Sequence, residues 1–176
     1  MLKKSLAVLC TVLGLTGCAG VSPEVYRDQK PTLDLTTYFN GPLTAWGYFA
    51  DRSGEVKRRF TVKMTGVWTG NEGVLTENFD WSDGEKSQRI WRISKLDAHR
   101  YIGRADDVKG EATGTAYGNA LQWKYTLLLP VDGKTYEVQF DDWMYQMDDT
   151  TMLNKSEMRK FGFKLGEIVI SFRKGL

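Results

Sequence analysis

From Leu43 onward, apolar and polar side chains alternate with a period of two. Phe60, Val62 and Met64 share one parity, and Arg59, Thr61, Lys63 and Thr65 take the other. Leu121, Trp123, Tyr125, Leu127 and Leu129 alternate with Gln122, Lys124 and Thr126, and Tyr136, Val138 and Phe140 alternate with Glu137, Gln139 and Asp141. Successive side chains of a strand point to opposite faces, so the pattern predicts half-buried antiparallel strands. Turn residues punctuate it at Ser53-Gly54, Gly70-Asn71-Glu72-Gly73, Asp83-Gly84, Gly118-Asn119 and Asp132-Gly133. Such pairs supply the positive φ angles that tight hairpins need. The predicted strands run over 43–52, 56–68, 74–82, 87–96, 100–107, 111–117, 121–130, 134–146, 151–159 and 163–173. One short helix is predicted, Leu33 to Phe39. No interval is long enough for the crossover helices of a parallel sheet. The expected fold is all-β, an antiparallel up-and-down barrel of about 8–10 strands, because closure removes the edge strands.

One segment breaks the alternation. Trp143 and Tyr145 fall opposite in parity to Tyr136 and Phe140, with Asp141-Asp142 at the change. A β-bulge or bend there would keep both aromatic sets inward. The alternative is that Trp143 faces outward. The bulge is the expectation.

The chain start carries an address. Met1-Leu2-Lys3-Lys4 is a short basic region, and the apolar run Ser5 to Leu15 has signal-peptide length, short of the roughly 20 residues that span a bilayer. It ends in Leu15-Thr16-Gly17-Cys18, which resembles the lipobox of bacterial lipoproteins. The resemblance implies cleavage before Cys18 and acylation of that cysteine. Ala19, in place of an aspartate, resembles the outer-membrane class of these lipoproteins. The expected layout is a cleaved signal peptide over 1–17, a lipidated tether over 18–30 and a single barrel domain over 31–176. Ala19 to Lys30 has Gly, Ser, Pro and charges with few apolar residues, as a tether would. Two or three acyl chains hold a membrane stably where one does so only marginally. The expected location is the cell envelope, at the outer membrane and facing the periplasm.

Cleavage changes the charge and thiol arithmetic. The formal charge of +2 comes from 24 Lys and Arg against 22 Asp and Glu; less Lys3 and Lys4, 22 stand against 22. A neutral domain argues against nucleic acid as a partner. Of the two cysteines, Cys10 lies in the signal and Cys18 is acylated, so no disulfide is expected and stability must come from the core. The 159 residues left after the first 17 suffice for one domain burying roughly two-thirds of its unfolded surface. A monomer is expected.

Along the mature chain, Tyr38-Phe39-Asn40-Gly41 leading to Ala45-Trp46-Gly47, then Phe60 to Gly66, Trp91-Arg92-Ile93 and Tyr101 to Val108 resemble a family of Gram-negative lipoproteins called domain of unknown function 3833. That name implies no activity. The architecture is also similar, more loosely, to lipocalins and related calycin barrels. Those open with a short helix and a first-strand Gly-x-Trp, with a late basic residue packed over the Trp. Here Gly41 stands five residues before Trp46, a departure from that spacing. The resemblance implies that Arg173, near the end of the last strand, covers Trp46 and closes the barrel.

Catalytic chemistry finds little support. His99, the one histidine, sits in the turn Asp97-Ala98-His99-Arg100, and no nucleophile elbow is present. One histidine and no free thiol cannot make a tetrahedral zinc site. Neither an enzymatic activity nor a cofactor is expected. The acidic pairs Asp106-Asp107, Asp141-Asp142 and Asp148-Asp149 read as solvated loop ends, since adjacent strand residues point to opposite faces and rarely chelate one ion. Gly110 to Gly118 opens no helix, so it suits a closely packed strand rather than a phosphate loop. Lys57-Arg58-Arg59 is a solvated hairpin edge or a contact for lipid headgroups or an envelope protein.

Six Trp, eight Tyr and eight Phe lie mainly on strands. They pack a core, and a barrel of this size can also hold one small ligand. Trp91, Arg92, Arg104, Trp123 and Tyr125 are the candidate ligand-binding residues; Arg89 and Arg92 have opposite parity, so in a regular strand only one of them can point inward, the alternative being outward arginines in a surface charge ladder. An inward guanidinium could receive an acyl carboxylate. The favoured function is binding or transport of a hydrophobic small molecule, fatty-acyl or lipid, in the barrel cavity. The alternatives are an assembly role through protein contacts around a filled barrel, and a barrel enzyme of unknown reaction.

Overall fold

The computed structural model describes residues 20–175, so the signal-peptide and Cys18 expectations lie outside the described residues. Ten strands follow one another: β1 (Gly41–Asp51), β2 (Val56–Thr69), β3 (Glu72–Trp81), β4 (Lys86–Lys95), β5 (Arg100–Arg104), β6 (Ala112–Tyr117), β7 (Ala120–Val131), β8 (Lys134–Gln146), β9 (Thr151–Lys160) and β10 (Phe163–Lys174). Each pairs antiparallel with the next, and β1 pairs with β10 from Leu43↔Lys174 to Asp51↔Gly166, closing the barrel. The hairpin signals therefore placed every strand to within three residues. Apolar side chains face in. The outer wall carries polar ladders such as Thr61, Lys63 and Thr65, the reverse of a membrane-spanning barrel.

The helix is shorter than the sequence predicts, a single turn over Leu35–Tyr38, which we call α1. Asp34 caps it, its Oδ1 accepting from Thr36 N at 2.9 Å. Leu33 lies outside it, its N–H donating to Gly118 O at 2.8 Å. Leu33, Leu35, Tyr38 and Phe39 are all buried and plug one end of the barrel. Tyr38 Oη donates to Thr150 O at 3.0 Å, and Trp68 Nε1 to Phe39 O at 3.3 Å. Close approach of the plug depends on Gly66, where a Cβ would lie 1.6 Å from Phe39 O.

The cation that closes this end is Lys174, not Arg173. Lys174 Nζ donates to Tyr38 O at 2.9 Å and Asn40 O at 2.8 Å, satisfying carbonyls at the end of α1. Lys174 shares the inward parity of Phe172, so Arg173 points out. Trp46 also lies on the outer wall, 44% exposed and opposite Ser171, while Arg173 stands opposite Thr44. The expected Trp46–Arg173 closure is thus corrected by strand parity.

Strand β8 corrects a second expectation. Its register with β7 runs unbroken from Ala120↔Tyr145 to Val131↔Lys134, with no bulge at Asp141-Asp142. Trp143 and Tyr145 therefore face outward, and Asp142 and Met144 face the interior. The outward rings receive a 3-10 turn, Pro23–Tyr26. Tyr26 packs edge-on against Trp143 and Tyr145, with centroids 6.1 and 5.4 Å apart. From Pro23 onward the segment ahead of the barrel lies against its wall.

Candidate functional site

The hairpins β1–β2, β3–β4, β7–β8 and β9–β10 lie at the end opposite the plug. The interior below them is not filled. A cavity of about 670 Å³ runs between the walls, from Leu35 and Phe39 at the plug to Arg58, Glu85 and Pro130 near the hairpins. Ligand pockets commonly measure about 300–1,000 Å³. Its wall is mostly apolar: Val62, Met64, Leu75 and Phe79 on β2 and β3, Leu127 and Phe140 on β7 and β8, Ile168, Ile170 and Phe172 on β10.

Trp91, Trp123 and Tyr125 line this cavity, the last two on the inward parity that the alternation along β7 predicts. Trp91 meets Trp123 and Tyr125 edge-on, with centroids 5.6 and 5.5 Å apart. Trp123 lies flat against β5 and β6. A Cβ on Gly103 or Gly114 would come within 2.5 Å of its ring, so the glycine-rich stretch supplies a bed for an aromatic.

Arg92 and Arg104 do not join them. Both are exposed on the outer face, Arg92 with Asp106 at 3.7 Å and Arg104 paired with Glu111. Trp91 and Arg92 are adjacent and cannot share a face. The inward guanidinium is Arg89, two residues from Trp91. It is already clasped by Asp107: Nε donates to Oδ1 at 3.1 Å and Oδ2 at 2.9 Å, and Nη2 to Oδ2 at 2.7 Å. Charge-assisted bidentate pairs of this kind are strong and directional. An incoming carboxylate therefore finds the Nε–Nη2 edge taken and only the N–H groups of the other edge left to it.

Two further acids complete a polar band across the apolar wall. Glu77 stands directly opposite Arg89 in the β3–β4 register, and Asp142 directly opposite Ser156 in the β8–β9 register. Both are buried. Burial pushes Glu77 up to about 7; Arg89 opposes the shift, Asp107 and Asp142 add to it, and a hydrogen bond from Trp91 opposes it. Burial likewise pushes Asp142 up to about 7, against Ser156 and Arg89 and with Asp141. Asp142 Oδ1 is buried and has no hydrogen-bond partner among the described residues. Tyr125 is pushed well above the ordinary phenol by burial and by Asp142. Burial opposes the charge on Arg89, yet its surroundings, Tyr125 and Glu77 first among them, hold it firmly protonated.

Sequence reasoning missed Glu77, Asp107 and Asp142. Glu77 did carry a signal, since it shares the parity of Leu75 and Phe79. Asp107 and Asp142 belong to acidic pairs expected to be solvated, and in each pair only the second member turns to the cavity. The third pair behaves as expected: Asp148 accepts from Thr150 N and Thr151 N, each at 2.7 Å, in the β8–β9 turn. His99 is exposed in the β4–β5 turn, stacked on Tyr117 with centroids 3.9 Å apart. In the basic run, Arg58 lies 4.1 Å over the Trp81 ring and pairs with Asp83 and Glu85, while Lys57 pairs with Asp51. Two of its three cations are thereby engaged within the barrel's own rim.

The protein-family model described as "Protein of unknown function (DUF3833)" matches residues 12–174. No curated protein matches the chain.

Proposed function

The chain belongs to the DUF3833 family of proteins of unknown function, and we propose that this member holds a hydrophobic small molecule, of fatty-acyl or lipid type, in its barrel cavity. It does so as a lipoprotein tethered through Cys18 at the outer membrane, facing the periplasm, and it carries the ligand without transforming it. The supporting observation is the cavity itself: about 670 Å³, plugged at one end by α1 and lined mostly by apolar side chains. A barrel with no binding task gains stability by filling such a space, since voids forfeit packing. Entry is from the hairpin end, away from Lys174 and the plug.

Native mass spectrometry of the full chain extracted from cells tests this. The expected spectrum contains a species heavier by one apolar small molecule, released by mild activation. A spectrum of bare protein only, together with no uptake of an added long-chain alcohol, would overturn the proposal.

A further inference from the structure

We infer that the polar band of Glu77, Arg89, Asp107 and Asp142 is a head-group site for a protonated primary amine, so that the ligand is an amine-bearing amphiphile and not a free fatty acid. The inference rests on the cavity function proposed above and deepens it.

The polar groups of the band come from five strands and one loop: Glu77 on β3, Arg89 on β4, Asp107 after β5, Tyr125 on β7, Asp142 on β8 and Ser156 on β9; the other two charged residues lining the cavity, Arg58 on β2 and Glu85, lie nearer the hairpins and pair with each other. Arg89 and Asp107 neutralise each other through their bidentate contact. That leaves two carboxyls in a largely apolar chamber with no second cation among the groups of the band. Buried polar atoms are nearly always hydrogen-bonded, and an unpaired one is costly. Asp142 Oδ1 is such an atom, buried and without a partner among the described residues, on a residue that lines the cavity. It lacks a donor, which a ligand ammonium or hydroxyl supplies and a ligand carboxylate does not. Placing an alkanoate here would add a fourth acid beside three, and the burial of Glu77 and Asp142 leaves the repulsion of like charges poorly screened. An ammonium would instead bring three donors and the missing positive charge. Burial holds both free carboxyls near neutrality, so a cation can take the place of a proton there. The apolar wall beyond the band, from Phe140 to Ile168, takes the chain.

Calorimetric titration with dodecylamine, dodecanol and dodecanoate separates the possibilities. The full chain carrying Cys18→Ser keeps the test free of its own acyl groups. At about pH 8, dodecylamine should bind at least about tenfold tighter than dodecanol, with dodecanoate weakest. Lowering the pH to about 5.5 should erase most of that advantage, because Glu77 and Asp142 take up protons that compete with the amine. Asp142→Asn and Glu77→Gln should each cut the ratio of amine to alcohol affinity by about tenfold, and the wild-type pH series stands even if a variant fails to fold. The inference is overturned if dodecanoate binds as tightly as dodecylamine, or if the ratio ignores both pH and the substitutions. Dodecanol binding without an amine advantage would overturn this inference alone; no binding of any of the three would overturn the cavity function with it.

Discussion

Between about pH 5 and 8 the fold is expected to lose stability as Glu77 and Asp142 ionise, and the double variant Glu77→Gln, Asp142→Asn is expected to abolish the loss. Both carboxyls stand at about 7 in the folded chain, against ordinary values of 4.5 and 3.8. In that window the folded state keeps protons that the unfolded state has released. The stability they contribute is whole below about pH 4 and disappears as the pH rises through about 7. For either group alone the loss is on the order of 3 kcal/mol. For the pair it is less than double, because the charge of Asp142 is part of what raises Glu77. Asp51 and Asp97, held at about 2 by hydrogen bonds from Ser53 and from His99, act with the opposite sign and below this window. Urea denaturation across a pH series should therefore give a falling curve for the wild type and a nearly level one for the double variant, which becomes the more stable protein at about pH 8. Parallel curves would mean that the two acids are solvated, and the polar band would lose its basis.

Trp91→Ala is expected to cost about 3–5 kcal/mol, the range for removing a buried large aromatic. Trp91 is 6% exposed and forms the centre of the inner aromatic wall, edge-on to both Trp123 and Tyr125. Its ring also borders the bed that Gly103 makes for Trp123. Trp91→Phe divides the effect. It keeps an aromatic in the wall but removes the indole N–H that donates to Glu77. That variant should cost about 1–2 kcal/mol, the scale of one lost hydrogen bond to a buried polar group. It should also raise the Glu77 ionisation further, visible as a shift in the pH curve described above. Equal costs for the two variants would show that the hydrogen bond, and not the packed ring, carries the contribution.

These expectations turn on groups that strand parity alone could have placed. Alternation and turn residues are local signals, and they sufficed for ten strands, their order and the inward facing of Trp123 and Tyr125. Once Trp91 faces in, Arg89 must face in and Arg92 out; the same rule sends Lys174 inward with Phe172 and turns Arg173 away. The bulge expected at Asp141-Asp142 came from trusting aromatic residues to be internal. In the fold Trp143 and Tyr145 are covered from outside by Tyr26, more than a hundred residues away in sequence. No local pattern announces such a contact. The clasp between Arg89 and Asp107 and the facing of Glu77 toward Asp142 across the barrel are likewise products of closure. The size of the cavity is too, since it depends on how far the two walls stand apart and not on the identity of any one residue.

The central claim is that the barrel interior accepts an apolar molecule, and the methionines report on it with a control built in. Met64, Met144 and Met158 line the cavity, Met152 is buried away from it, and Met147 is exposed outside. Carbon-13 labelling of the methionine methyl groups and titration with dodecanol, followed by NMR, reads each position separately. Saturable shifts at Met64, Met144 and Met158, with Met147 unmoved, are the expected result. A spectrum in which the three inner methyl groups stay fixed, or in which Met147 alone drifts with added alcohol, would contradict it.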